Sequence, residues 1–109
     1  MTEPHVIRLR EPWERITLNS GKVRYRRFFN LPTGLTPTTV VHIVCAGSTA
    51  ATTAWLNDVA LGDHAAEEPA WSHEVTENLL SRNELVIDVA APAVAELPWR
   101  EMRLEIMDA

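Results

Sequence analysis

A single cysteine in 109 residues, Cys45, excludes an intramolecular disulfide and agrees with a reducing compartment. It ends the run Val40-Val41-His42-Ile43-Val44-Cys45, where a buried small hydrophobe is expected rather than a nucleophile. Positive charge is also scarce: 10 Lys and Arg against 15 Asp and Glu leave a net charge of −5. Nothing is basic enough to track a phosphate backbone, and no nucleic-acid partner is expected. Arg24, Arg26 and Arg27 cluster locally, as charges on a solvated strand face do. No apolar stretch reaches membrane-spanning length, so no membrane partner is expected either. The opening residues Met1-Thr2-Glu3-Pro4-His5 carry neither the basic region nor the apolar run of a secretory leader. Together these absences predict a cytoplasmic location. A nucleophile elbow, a long helical pattern and internal repeats are missing too.

What the chain does have is a series of short runs rich in Val, Ile, Leu and aromatics, separated by turn residues. That pattern predicts an all-β domain over 1–109, built as two antiparallel sheets packed face to face. Strands are predicted at 5–10, 15–18, 22–30, 38–46, 52–57, 59–62, 73–75, 84–90 and 102–107. Successive strand residues point to opposite faces. This alternation sends Ile7 and Leu9, Ile16 and Leu18, Leu85, Ile87 and Val89, and Met102, Leu104 and Ile106 inward. The run from Val40 to Cys45 is apolar at both parities and predicts a central strand covered on both faces or at a subunit contact. His42 is its polar exception, expected as a satisfied structural histidine. Asn57-Asp58 has the residue types for a two-residue hairpin turn at positive φ. Thr76-Glu77-Asn78-Leu79 predicts a single helical turn capped by Thr76, and 92–98 predicts a crossing loop to the last strand.

The order of motifs carries more than the fold class. Tyr25-Arg26-Arg27 with Phe29 and Pro32 comes first, then Ala54-Trp55-Leu56-Asn57-Asp58 with Leu61-Gly62, then Val75-Thr76 with Leu79, and Asn83-Glu84-Leu85 with Ile87. This sequence of elements resembles the sugar-binding jelly-roll domain at the N-terminus of family 2 glycoside hydrolases, within the galactose-binding-like superfamily. The resemblance implies a jelly roll, a buried Trp71 and a turn at Asn83. It implies no catalysis, because in that family the catalytic carboxylates sit on a separate barrel for which 109 residues leave no room. Where the family has Asn-Gly this chain has Asn57-Asp58, and its 63–69 loop lacks the family's glycines and aromatic.

Three groups of residues are candidates for chemistry. Trp13 and Trp99 lie in predicted loops beside charged residues, where exposed indoles stack on sugar rings or, alternatively, plug the ends of a sandwich. Arg26, on the face opposite Tyr25, would then bond hydroxyls or a carboxylate. Asp63, His64, Glu67 and Glu68 crowd one loop and present oxygen ligands of the kind that hold structural calcium, the alternative being an acidic surface turn; no other cofactor is implied. Glycoside hydrolysis needs two facing carboxyl groups, and no such pair is marked in the sequence. The expected function is therefore a noncatalytic module with carbohydrate as its partner. The alternative is a structural or protein-interaction domain that self-associates or serves as an accessory subunit.

Overall fold

The computed structural model describes residues 4–66, 68, 70–90 and 96–108. Among them the strands are β1 (His5–Arg8), β2 (Glu14–Thr17), β3 (Val23–Asn30), β4 (Thr39–Ala46), β5 (Thr52–Leu56), β6 (Val59–His64), β7 (Ala70–Glu74), β8 (Arg82–Val89) and β9 (Glu101–Asp108). No α-helix is present among the described residues; one 3-10 turn spans Thr76–Asn78. No helix is long and apolar enough to cross a membrane. Most of the predicted crossing loop, residues 92–95, lies outside the described residues, as does Glu67.

The strands form a four-stranded sheet in the order β1-β9-β4-β7 and a five-stranded sheet in the order β2-β3-β8-β5-β6. All pairings are antiparallel, and the chain passes back and forth between the sheets, giving the two-sheet sandwich that the alternation predicted. Val41, Ile43 and Cys45 of β4, Met102 and Leu104 of β9, and Leu85, Ile87 and Val89 of β8 all face inward and are buried. Burial of the Cys45 thiol pushes its pKa up to about 12, which leaves it un-ionised and inert. Val44, on the other face of β4, is also buried, as the double-parity run required. His42 is half-buried on that outer face, in register with Glu74 and Glu105.

Two local readings are corrected. Ile16 is 38% exposed rather than inward. In register β2 sets Arg15 opposite Tyr25, so the arginine takes the inner position at this sheet edge, with its guanidinium 5.4 Å from the Tyr25 ring centroid and its tip bonded to Glu11. A long cationic side chain can occupy an inner edge position because its stem packs while its head reaches solvent. Thr76, in turn, is not the cap. The 3-10 turn begins after Val75 without a side-chain cap, and the Thr76 hydroxyl instead accepts the Val41 N–H at 2.9 Å. Asn57 and Asp58 do adopt positive φ, 51° and 67°, at the β5–β6 hairpin.

Candidate functional site

Trp13 and Trp99 come from separate loops to the same end of the sandwich, but inside it. They are 4% and 5% exposed, meet edge to face at 4.9 Å, and Trp99 meets Tyr25 in the same way at 5.2 Å. The Trp13 indole N–H donates to the Leu9 carbonyl at 3.1 Å. Their charged neighbours turn outward while the rings complete the core, so the expected stacking platform is not formed by this pair. Gly47 makes the closure possible: at φ 74° it lies so near the Trp99 segment that a Cβ would stand 2.8 Å from Arg100 Cβ. Across that approach the Arg100 N–H donates to the Ala46 carbonyl at 2.9 Å.

Arg26 is placed differently. On the outer face of the five-stranded sheet, β3 contributes Arg24 and Arg26, β8 contributes Glu84 and Val86, β5 contributes Trp55, and β2 contributes Ile16. With Asp58 these side chains line an open depression of about 500 Å³, inside the range of roughly 300–1,000 Å³ usual for small-ligand sites. Arg24 grips the buried Asp88 carboxylate with two bonds, 2.7 and 3.0 Å, and holds its guanidinium 5.7 Å from the Trp55 ring centroid. Arg26 bonds both oxygens of Glu14 at 2.8 Å and reaches Glu84 at 3.3 Å. The result is a half-buried indole with the Arg24 guanidinium beside it and Arg26, Glu84 and Asp58 lining the same depression. Sequence reading singled out Arg26 but passed over Trp55 because it falls in a strand; strand parity, which puts Trp55 on the same face as Arg24 and Arg26, was the available signal.

The third predicted group, at 63–68, has one member in an ordered cluster. His64 ends β6 and is buried; its ring stacks on Trp71 of β7 with centroids 4.2 Å apart and 9° between planes. Its Nε2 lies 2.7 Å from Nε2 of His73, a residue no spacing motif had flagged. Trp71 and His73 are on the same inward parity of β7, opposite Cys45 and Ile43. No three His, Cys, Asp or Glu side chains surround one point among the described residues. Glu68 spends one oxygen on the Ala65 N–H at 3.1 Å.

Burial, and then the neighbouring His73, holds the His64 imidazole below the usual histidine range, with Glu68 and Asp63 opposing. Burial does the same to His73 against the pull of Glu68. The unfolded chain takes up these protons near about pH 6.5, before the folded chain does. The stability held in the neutral pair is thus complete above that pH and is lost as pH falls through the lowered folded values. Urea unfolding at pH 7.5 and 5.5 is expected to show a lower midpoint at 5.5, and the gap should narrow in His73→Gln; equal gaps in both proteins would contradict this.

No protein-family model matches the chain, and no curated protein matches it. Solved structures do. The β-glucuronidase of Bifidobacterium dentium, in complex with coumarin-3-O-glucuronide, superposes with a TM-score of 0.79 at 16% identity, covering 98% of this chain and 30% of the enzyme. The fold is shared with sugar-cleaving enzymes. The FMN-binding β-glucuronidase of Facaelibacterium prausnitzii gives 0.77 at 17% identity over 97% and 23% of the two chains. That of Dictyoglomus thermophilum gives 0.78 at 10% identity over 99% and 29%. The chain therefore spans under a third of the length of these enzymes and matches a domain-sized portion of them. A likeness at such identities is one of fold, and it agrees with the jelly roll implied by the motif order.

Proposed function

We propose that this chain is a noncatalytic carbohydrate-recognition module, and that the sugar is met on the outer face of the five-stranded sheet at Trp55 and Arg26. One observation carries the reading: the depression around Trp55 joins a half-buried indole to Arg24, Arg26, Asp58 and Glu84. Apolar C–H faces of a pyranose pack on such a ring, and its hydroxyls pair with planar charged groups held in place by their own ion pairs. The fold likeness to β-glucuronidases supports the same ligand class. Tryptophan fluorescence and calorimetric titration against neutral and uronic mono- and oligosaccharides test it. Saturable binding is expected, reduced at least tenfold by Trp55→Ala while the unfolding midpoint moves little. A flat response across the panel, or binding indifferent to Trp55→Ala, would overturn the proposal.

A second reading has its own support. Ile16 and Phe28 on this face and Val59 on the edge strand β6 are exposed apolar side chains, and β1, β7, β2 and β6 all end their sheets. Open edges and aromatic-arginine surfaces are also what protein partners use. In this reading the module docks a second copy or a larger partner chain. A strictly monomeric particle by light scattering at high concentration would remove the self-association form of it.

A further inference from the structure

We propose that the sandwich edge between β6 and β7 is a binding site for a late divalent transition metal of the zinc class, held by Nε2 of His64 and Nε2 of His73. The two rings come from different sheets, β6 ending the five-stranded sheet and β7 the four-stranded one, yet their Nε2 atoms converge to 2.7 Å. At that distance the two nitrogens share one proton in an N–H···N hydrogen bond, and a cation can take the place of that proton. Zinc–nitrogen bonds of about 2.0–2.1 Å in a tetrahedron set two ligand nitrogens roughly 3.3 Å apart. The pair reaches that separation by opening about half an ångström, which two edge strands can supply without breaking a ladder.

The surroundings suit a ligand pair. Metal-bound histidines direct their other ring nitrogen to an oxygen, which fixes ring and tautomer; His64 Nδ1 faces the Thr52 hydroxyl at 3.5 Å. The stacked Trp71 ring holds the plane of His64. Beside His73 stands Gly62, at φ 134°, where an added Cβ would make ordinary contact with the ring, 3.7 Å from Cε1 and 4.0 Å from Nε2. With two protein ligands, water completes the shell. Imidazole nitrogen selects zinc, copper or nickel over calcium, which prefers an all-oxygen shell.

The test is calorimetric titration of the tag-free, chelator-treated full chain with zinc chloride, with calcium chloride as control. One saturable zinc site per chain is expected, reversed by EDTA, absent with calcium, and weakened at least tenfold in His73→Gln. His73 is the half-exposed partner, so this variant keeps the fold, checked by far-ultraviolet circular dichroism; His64→Gln opens the core and is the riskier change. Absence of a saturable zinc heat, or equal zinc binding in the wild type and His73→Gln, would overturn the assignment.

Discussion

Trp99→Ala is expected to lose about 3–5 kcal/mol of stability, the usual cost of emptying a large aromatic site in a core. Typical domains hold only about 5–15 kcal/mol in total, so the variant should unfold at much lower urea and lose most of its near-ultraviolet dichroism. The basis is specific. Trp99 is 5% exposed and touches Trp13 and Tyr25 edge to face at 4.9 and 5.2 Å. Removing it takes an edge-to-face contact from both rings, leaving the Trp13 indole N–H on the Leu9 carbonyl and the Tyr25 ring beside Arg15. Trp13→Ala should cost a similar amount and, because the rings share one contact, the double variant should cost less than the sum of the two. Trp99→Phe, which keeps an edge for Tyr25, should fall between wild type and Trp99→Ala. A Trp99→Ala protein with the wild-type unfolding midpoint would mean that the indole lies outside the core, and would restore these tryptophans as a surface platform.

The contrast between this pair and Trp55 shows what the sequence discloses. Strand existence and the inward rows were legible because alternation over several residues averages out single exceptions, as in Leu85, Ile87 and Val89. The face of β2 was not, because an edge strand four residues long offers two positions per face and Arg15 fills one by snorkelling. Loop tryptophans beside charges look exposed in one dimension. Their burial depends on two loops, one before β2 and one before β9, closing the same end of the sandwich, and on the close approach at Gly47. His73 escaped notice for a similar reason: its partner lies nine residues away, across the gap between sheets. Asn83 illustrates the opposite case, a position marked by motif order whose physical role appears only in three dimensions.

Expected as a turn residue, Asn83 instead belongs to β8 and is fully buried. Its side-chain oxygen accepts the Leu80 N–H at 2.8 Å and the Asn57 side-chain amide at 2.9 Å, while its own amide donates to the Leu80 carbonyl at 2.9 Å and, more weakly, to the Phe29 carbonyl at 3.4 Å. Asn57 extends the network, donating to the Asn78 carbonyl at 2.8 Å and accepting the Glu84 N–H at 2.9 Å. One amide thus ties the end of β3, the segment after the 3-10 turn and the β5–β6 hairpin together. Asn83→Leu preserves volume but removes the partner of the Leu80 N–H, of the Leu80 carbonyl and of one N–H of the Asn57 amide, whose other acceptor is the Asn78 carbonyl. A buried polar group left unpaired costs about 1–3 kcal/mol, so a total loss of about 3 kcal/mol or more is expected, enough to unfold a marginal domain. Urea denaturation measures it, and a double-mutant cycle with Asn57→Gly isolates the network, since glycine keeps the positive φ of the hairpin while deleting the side chain. The two changes should be sub-additive, because once Asn83 is gone the Asn57 amide has already lost one of its two acceptors. Full additivity would show the two asparagines acting separately, with Asn83 serving only its own β8 segment.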